Sequence, residues 1–141
     1  MSEITRATAT STLRPNWFVE RWADVASWPT WDQTCESASL NGHPAVGVTG
    51  SLKPKNGPKT SFEITVFDPE REFTNVSNMP GARVTFRHVV ESNAGITNLA
   101  VTVEVAGPLG WLWRRIIGPG LAASAQEGLD TLVAQGESQT I

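Results

Sequence analysis

Three segments of this chain alternate apolar and polar residues with a period of two, and nothing else in the sequence narrows the possible folds as far. Phe62, Ile64 and Val66 fall on one face, Val84, Phe86, His88 and Val90 on a second, and Leu99, Val101, Val103 and Val105 on a third. The residues between them, including Glu63, Arg83, Arg87, Asn98, Thr102 and Glu104, are mostly polar. Successive side chains of a strand point to opposite faces, so each segment reads as a strand that is dry on one side and wet on the other. An antiparallel sheet covered on one face has this signature.

The chain also supplies what covers the dry face. Strands are predicted at 3–13, 32–41, 45–53, 59–68, 71–78, 82–92 and 95–106, the first with a face of small side chains. Their links, such as Asn56-Gly57-Pro58, Met79-Pro80-Gly81 and Asn93-Ala94-Gly95, are turn-like and favour antiparallel neighbours. From Pro108 to Gln135 the pattern becomes helical, with Gly136 placed to end it. At 1.5 Å per residue such a helix spans about 40 Å, enough to cross a curved sheet. Leu109, Leu112, Trp113 and Ile116 make one apolar stripe, and Leu121, Ala125, Leu129, Leu132 and Val133 another. Gly118-Pro119-Gly120 lies between them and predicts a kink or break, because proline lacks an N–H and clashes with the carbonyl four residues back.

Four of the six tryptophans, Trp17, Trp22, Trp28 and Trp31, fall in the segment WFVERWADVASWPTWD. Phe18, Val19, Trp22 and Val25 form one helical stripe, and the Trp28-Pro29 step prevents that helix from continuing. Indoles of this size anchor a core or line a cavity, being apolar with one N–H to aim.

With 141 residues the chain is expected to form one domain, Gly136 to Ile141 being a frayed tail. A net charge of −3 gives no basic face for nucleic acid. Cys35 is the single cysteine and reads as a small buried hydrophobe, while His43 sits in a turn far from His88, so no metal site is expected. No glycine pattern suits a nucleotide, and no cofactor is expected. No apolar run reaches the roughly 20 residues of a membrane span, and MSEITRATATSTL lacks the apolar core of a secretory signal, so a cytoplasmic location is expected.

The layout is an α+β, two-layer fold: a seven-stranded antiparallel sheet curved around a long C-terminal helix, with two short helices between strands one and two. Several residues then carry a family likeness: Pro15, Phe18, Trp22, Ala23-Asp24-Val25, Trp28-Pro29-Thr30-Trp31-Asp32, Gly42, Gly50, Gly95 with Thr97, Gly107-Pro108-Leu109 and the Gly118-Pro119 break. They span nearly the entire chain. Together with the element order they resemble the SRPBCC superfamily, the helix-grip fold of birch-pollen allergens and START lipid-transfer domains. Within it the chain looks most like the bacterial polyketide cyclase/dehydrase-like group.

That resemblance implies an apolar cavity between sheet and C-terminal helix. Its expected lining is Trp28 and Trp31 near one end, then Phe62, Ile64, Val66, Val84, Phe86 and His88, with Leu99, Val101 and Val103 from the last strand. Leu112 and Ile116 join them from the helix. The expected partner is a small hydrophobic molecule such as a lipid, an isoprenoid or a polyketide-like aromatic. Without a nucleophile in a catalytic setting, a carrier is favoured over a cyclase, aromatase or dehydratase, for which His88 is the one inward acid/base candidate. The resemblance also admits a protein-interaction module of co-chaperone or toxin type. In GWLWRRIIG, Trp111 with Arg114 and Arg115 suggests a cavity mouth or homodimer contact ahead of a membrane-surface contact.

Overall fold

The computed structural model describes residues 2–55 and 57–139. Strand β1 (Ser2–Ser11), helix α1 (Pro15–Ala23) and a 3-10 helix (Val25–Thr30) come first. Strands β2 (Cys35–Leu40), β3 (Thr49–Pro54), β4 (Thr60–Asp68), β5 (Glu72–Met79), β6 (Ala82–Asn93) and β7 (Ile96–Ala106) follow, and then helix α2 (Gly110–Gln139). The strands form one sheet in the order β1-β7-β6-β5-β4-β3-β2, with each adjacent pair antiparallel. This is the helix-grip arrangement. β1 and β2 lie at opposite edges, so the two short helices carry the chain from one side of the sheet to the other.

Local sequence explains the turns and caps. The β6–β7 hairpin closes through Ala94 and Gly95 at φ 53° and 84°, with Asn93 paired to Ile96. Two positive φ values in a two-residue loop give the twist that a right-handed hairpin needs. Pro15 occupies the first turn of α1, where its missing N–H costs nothing. Phe18, Val19 and Trp22 of α1 are buried, as is Val25 in the 3-10 helix, so the predicted stripe is the inward one.

The interior divides into two clusters. The larger packs Phe18, Trp22, Trp28, Phe62, Phe73 and Leu132 with their neighbours. The smaller holds Ala82, Val84, Val103 and Val105, with Phe86, Trp113, Ile117 and Leu121 packed against it. Helix α2 lies over β1, β7 and β6, while α1 lies over β6 and β5. Side chains pin the C-terminal half of α2. The Gln126 amide donates to the Thr8 carbonyl at 2.9 Å and accepts from the Thr8 N–H at 3.3 Å, and Gln135 donates to the Thr30 carbonyl at 2.7 Å.

Two expectations need correcting here. Helix α2 runs as one element from Gly110 to Gln139 with Pro119 inside it, so Gly118-Pro119-Gly120 does not divide it. Packing against the sheet on either side of the proline outweighs the local helix penalty. The helix also continues past Gly136 through Gln139, whereas Thr140 and Ile141, the end of the expected tail, lie outside the described residues.

Candidate functional site

A cavity of about 230 Å³ lies along the seam between the two clusters, between the inner sheet face and α2. Trp22, Trp28, Phe62, Val101 and Leu129 reach it from the larger cluster, and Met79, Phe86, Val103, Ile117 and Leu121 from the smaller one. Asp32, Thr34, Leu52, Pro54 and Thr60 line the side toward β3 and the start of β4.

One wall is an aromatic ladder built by the tryptophan segment. The Trp28 indole stacks on Phe62 with ring centroids 5.4 Å apart, and it meets Trp31 and Phe73 edge-on at 6.4 Å each. Its N–H donates to the Trp22 carbonyl at 2.9 Å, which fixes the ring and leaves no unpaired donor. Trp31 differs: its indole nitrogen is buried and has no hydrogen-bond partner among the described residues.

Besides Asp32, Thr34 and Thr60, polar groups interrupt the apolar walls on the inner sheet face. Asn75 and Ser77 point inward from β5 and His88 from β6, with exposures of 3%, 7% and 8%. The Asn75 carboxamide and the Ser77 hydroxyl make no side-chain hydrogen bond among the described residues. Both residues line the cavity, so their polar groups are open to whatever occupies it, and a few polar groups among apolar walls are what orients a guest. Alternation in β5 places Phe73, Asn75, Ser77 and Met79 on one face, so a reading of its period would have found Asn75 and Ser77.

His88 is held on both sides. Its Nδ1 lies 2.9 Å from the Phe73 carbonyl, which accepts only, so Nδ1 carries the proton and Nε2 is left as an acceptor. Trp22 and Phe73 pack against the ring with centroids 5.0 and 5.9 Å away. Burial pushes the imidazole down to about 4, partly countered by the carbonyls of Phe73 and Phe86 and by the Glu72 carboxylate. The ring is therefore neutral near pH 7. It accepts a hydrogen bond well, but it is a weak base and no reservoir of protons.

Of the residues expected to line the cavity, Trp28, Trp31, Phe62, Phe86, His88, Val101 and Val103 do so. The other six are placed elsewhere. Ile64 and Leu99 are packed inside the larger cluster and Val84 inside the smaller, where they touch only protein. Val66 is turned outward by a register shift between Ile64 and Val66, and Phe67 is turned inward in its place. Leu112 and Ile116 also face outward, at 37% and 60% exposure. The inward stripe of α2 is Trp113, Ile117 and Leu121, set by the Trp113 indole N–H donating to the Pro80 carbonyl at 2.8 Å. At about 100° per residue, a phase difference of one position is enough to reverse the assignment.

Asp32 is the one carboxylate on the cavity wall among the described residues, and its Oδ1 accepts from the Thr34 N–H at 3.0 Å and the Thr34 hydroxyl at 2.7 Å. Cys35 and His43 do not line the cavity. Cys35 is buried at the start of β2, and burial together with nearby Asp32 raises its thiol to about 11. His43 is exposed. Among the described residues no three His, Cys, Asp or Glu side chains are grouped to hold a metal, and no helix is long and apolar enough to cross a membrane.

The family model for polyketide cyclase / dehydrase and lipid transport matches residues 5–137. The chain belongs to this family. It is thereby a member of the SRPBCC superfamily, in its polyketide cyclase-like group. The structure is similar to the Zhui aromatase/cyclase from Streptomyces sp. R1128, with a TM-score of 0.79 and 13% identity over 97% of this chain and 94% of that one. It is also similar to TTHA0849 from Thermus thermophilus, at 0.74 and 14% over 97% and 99%, and to Ara h 8.0201, at 0.65 and 14% over 94% and 96%. At such identities the likeness concerns the fold. No match was found among curated protein sequences.

Proposed function

We propose that this protein binds one small, mostly apolar molecule in the cavity and acts as its carrier. The observation that supports this most directly is the apolar seam with an unpartnered Asn75 carboxamide facing it. Ligand sites combine apolar walls with a few polar groups that orient the guest. An apolar cavity of about 150 Å³ takes up one benzene. The 230 Å³ here suits a guest of one to two rings better than a long acyl or polyketide chain. A hydroxyl on that guest would donate to His88 Nε2, and a carbonyl would accept from Asn75 or Ser77. Since the tryptophan segment, the sheet and α2 all line the cavity, and α2 is held in place on β1, binding needs these elements folded together as one domain.

A second reading, a cyclase or dehydratase acting on a related aromatic, is favoured by the family description and by His88 in the wall. The low imidazole pKa weighs against it, because a proton-transfer group works best when its pKa is near the operating pH. Native mass spectrometry of freshly purified protein, followed by calorimetry with naphthols and hydroxyquinones, tests the carrier reading. A co-purifying small mass, or saturable binding of a two-ring phenol, is expected. An empty protein that binds nothing across the panel overturns the proposal, and turnover of a bound aromatic would establish the enzyme instead.

A further inference from the structure

The first turns of α2 leave an apolar face that none of the described residues covers. Trp111 and Ile116 are 61% and 60% exposed and Leu112 is 37% exposed, whereas Trp113 and Ile117 pack inward. With 100° between successive residues, Trp111, Leu112, Arg115 and Ile116 share one outward arc of the helix. Arg114 flanks this arc, and no acidic residue occurs between Glu104 and Glu127, although the whole chain carries a net charge of −3. The patch is therefore an outward, apolar helix face with Arg115 set among its apolar side chains, on a chain of net charge −3.

We propose that this face docks reversibly on an anionic lipid surface. Aromatic and aliphatic side chains beside arginine on one side of a helix are what the headgroup boundary accepts: the rings and branched chains enter the acyl edge, and the guanidinium meets the phosphates. A second copy of the chain fits less well. Isologous pairing of the patch would set Arg115 against Arg115, like charge on like charge. One face of a single helix also offers no groove of its own for a peptide. The next inward turns of the same helix carry Ile117 and Leu121, which line the cavity. Docking here would set that wall against the bilayer, the phase in which an apolar ligand is dissolved.

The test is co-sedimentation of the full chain with phosphatidylcholine vesicles, with and without phosphatidylglycerol, at low and moderate salt. Wild type is expected to sediment with the anionic vesicles and to be released as salt rises. Trp111→Ser combined with Ile116→Ser is expected to lower the partition coefficient at least about tenfold, and Arg115→Glu to abolish the preference for phosphatidylglycerol. The three side chains are exposed, so thermal melts and ligand affinity should match wild type. No ligand is present in this assay, so an empty cavity would not affect its outcome. Absence of wild-type binding to either vesicle, or equal binding by the double variant, overturns the proposal. A wild-type dimer that the double variant converts to monomer overturns it also, and assigns the face to a second copy.

Discussion

The Trp22 indole lies against the His88 imidazole with ring centroids 5.0 Å apart, so a residue of α1 seals a polar group on the inner face of the sheet. The packing that seals it also keeps water from the ring, which is why its pKa drops to about 4.

Stability should therefore depend on pH through His88. The unfolded chain takes up a proton at its ordinary value of 6.5, while the folded chain resists until about 4. The contribution is fully present above pH 6.5 and is lost as pH falls through 4, amounting to on the order of 3 kcal/mol. Urea titrations between pH 7 and pH 4 should show this decline for wild type and a smaller one for His88→Phe. Identical slopes for the two proteins would remove the argument for a buried neutral imidazole.

Trp22 also belongs to the larger core cluster at 1% exposure. Trp22→Ala should destabilise the fold by about 3–5 kcal/mol in chemical denaturation, the range for an aromatic ring removed from a core. A neutral effect would mean that α1 does not seal this end of the molecule.

Asn75→Leu should separate stability from recognition. The wild-type carboxamide faces the cavity and makes no hydrogen bond with the described residues, so replacing it should leave stability unchanged or raise it by about 1 kcal/mol. Affinity for a two-ring phenol or quinone should fall about tenfold, while affinity for the unsubstituted hydrocarbon should rise. Calorimetry with the matched pair of ligands measures this. Parallel changes for both would show that Asn75 only fills space.

Two glycines of α2 should respond in opposite directions to alanine. A Cβ at Gly120 meets nothing within 4 Å, so Gly120→Ala should stabilise the helix by about 1 kcal/mol. A Cβ at Gly136 would press on Leu13 and come within 2.8 Å of the Trp17 ring, so Gly136→Ala should cost about 1–3 kcal/mol. Thermal melts of the two variants give the comparison directly.

Cys35 should be inert in the native state. With 1% exposure and a thiol raised to about 11, it presents almost no thiolate at pH 8. Labelling by iodoacetamide should follow unfolding in denaturant, and rapid labelling of the native protein would contradict its placement.

Much of this was legible from the chain, for physical reasons. Strand alternation, turn residues and the helical tail each obey a period that local sterics impose, so the sheet and its covering helix could be read without coordinates. His88 stood out because a polar group interrupted an apolar face. Failures occurred where one residue of phase decides the side. The bulge beside Val66 leaves no mark in composition, and the inward stripe of α2 depends on the Trp113 bond to Pro80, a residue distant in sequence. Asn75 and Ser77 escape a search for apolar residues, although the period of β5 places both inside.

The edge position of β1 has a bearing on how the molecule is made. Its sheet partner among the described strands is β7, with Ser11 opposite Thr97, and its cover is α2. During synthesis β1 must therefore wait for β7 and α2, the elements furthest from it in this sequence, before it can be paired and covered. The meander from β2 to β7 can form by local closure, whereas the pocket appears only in the final, long-range step that joins the two ends of the chain. A nascent or truncated chain would carry the tryptophan segment uncovered, and a chaperone or a protease would be first to meet it.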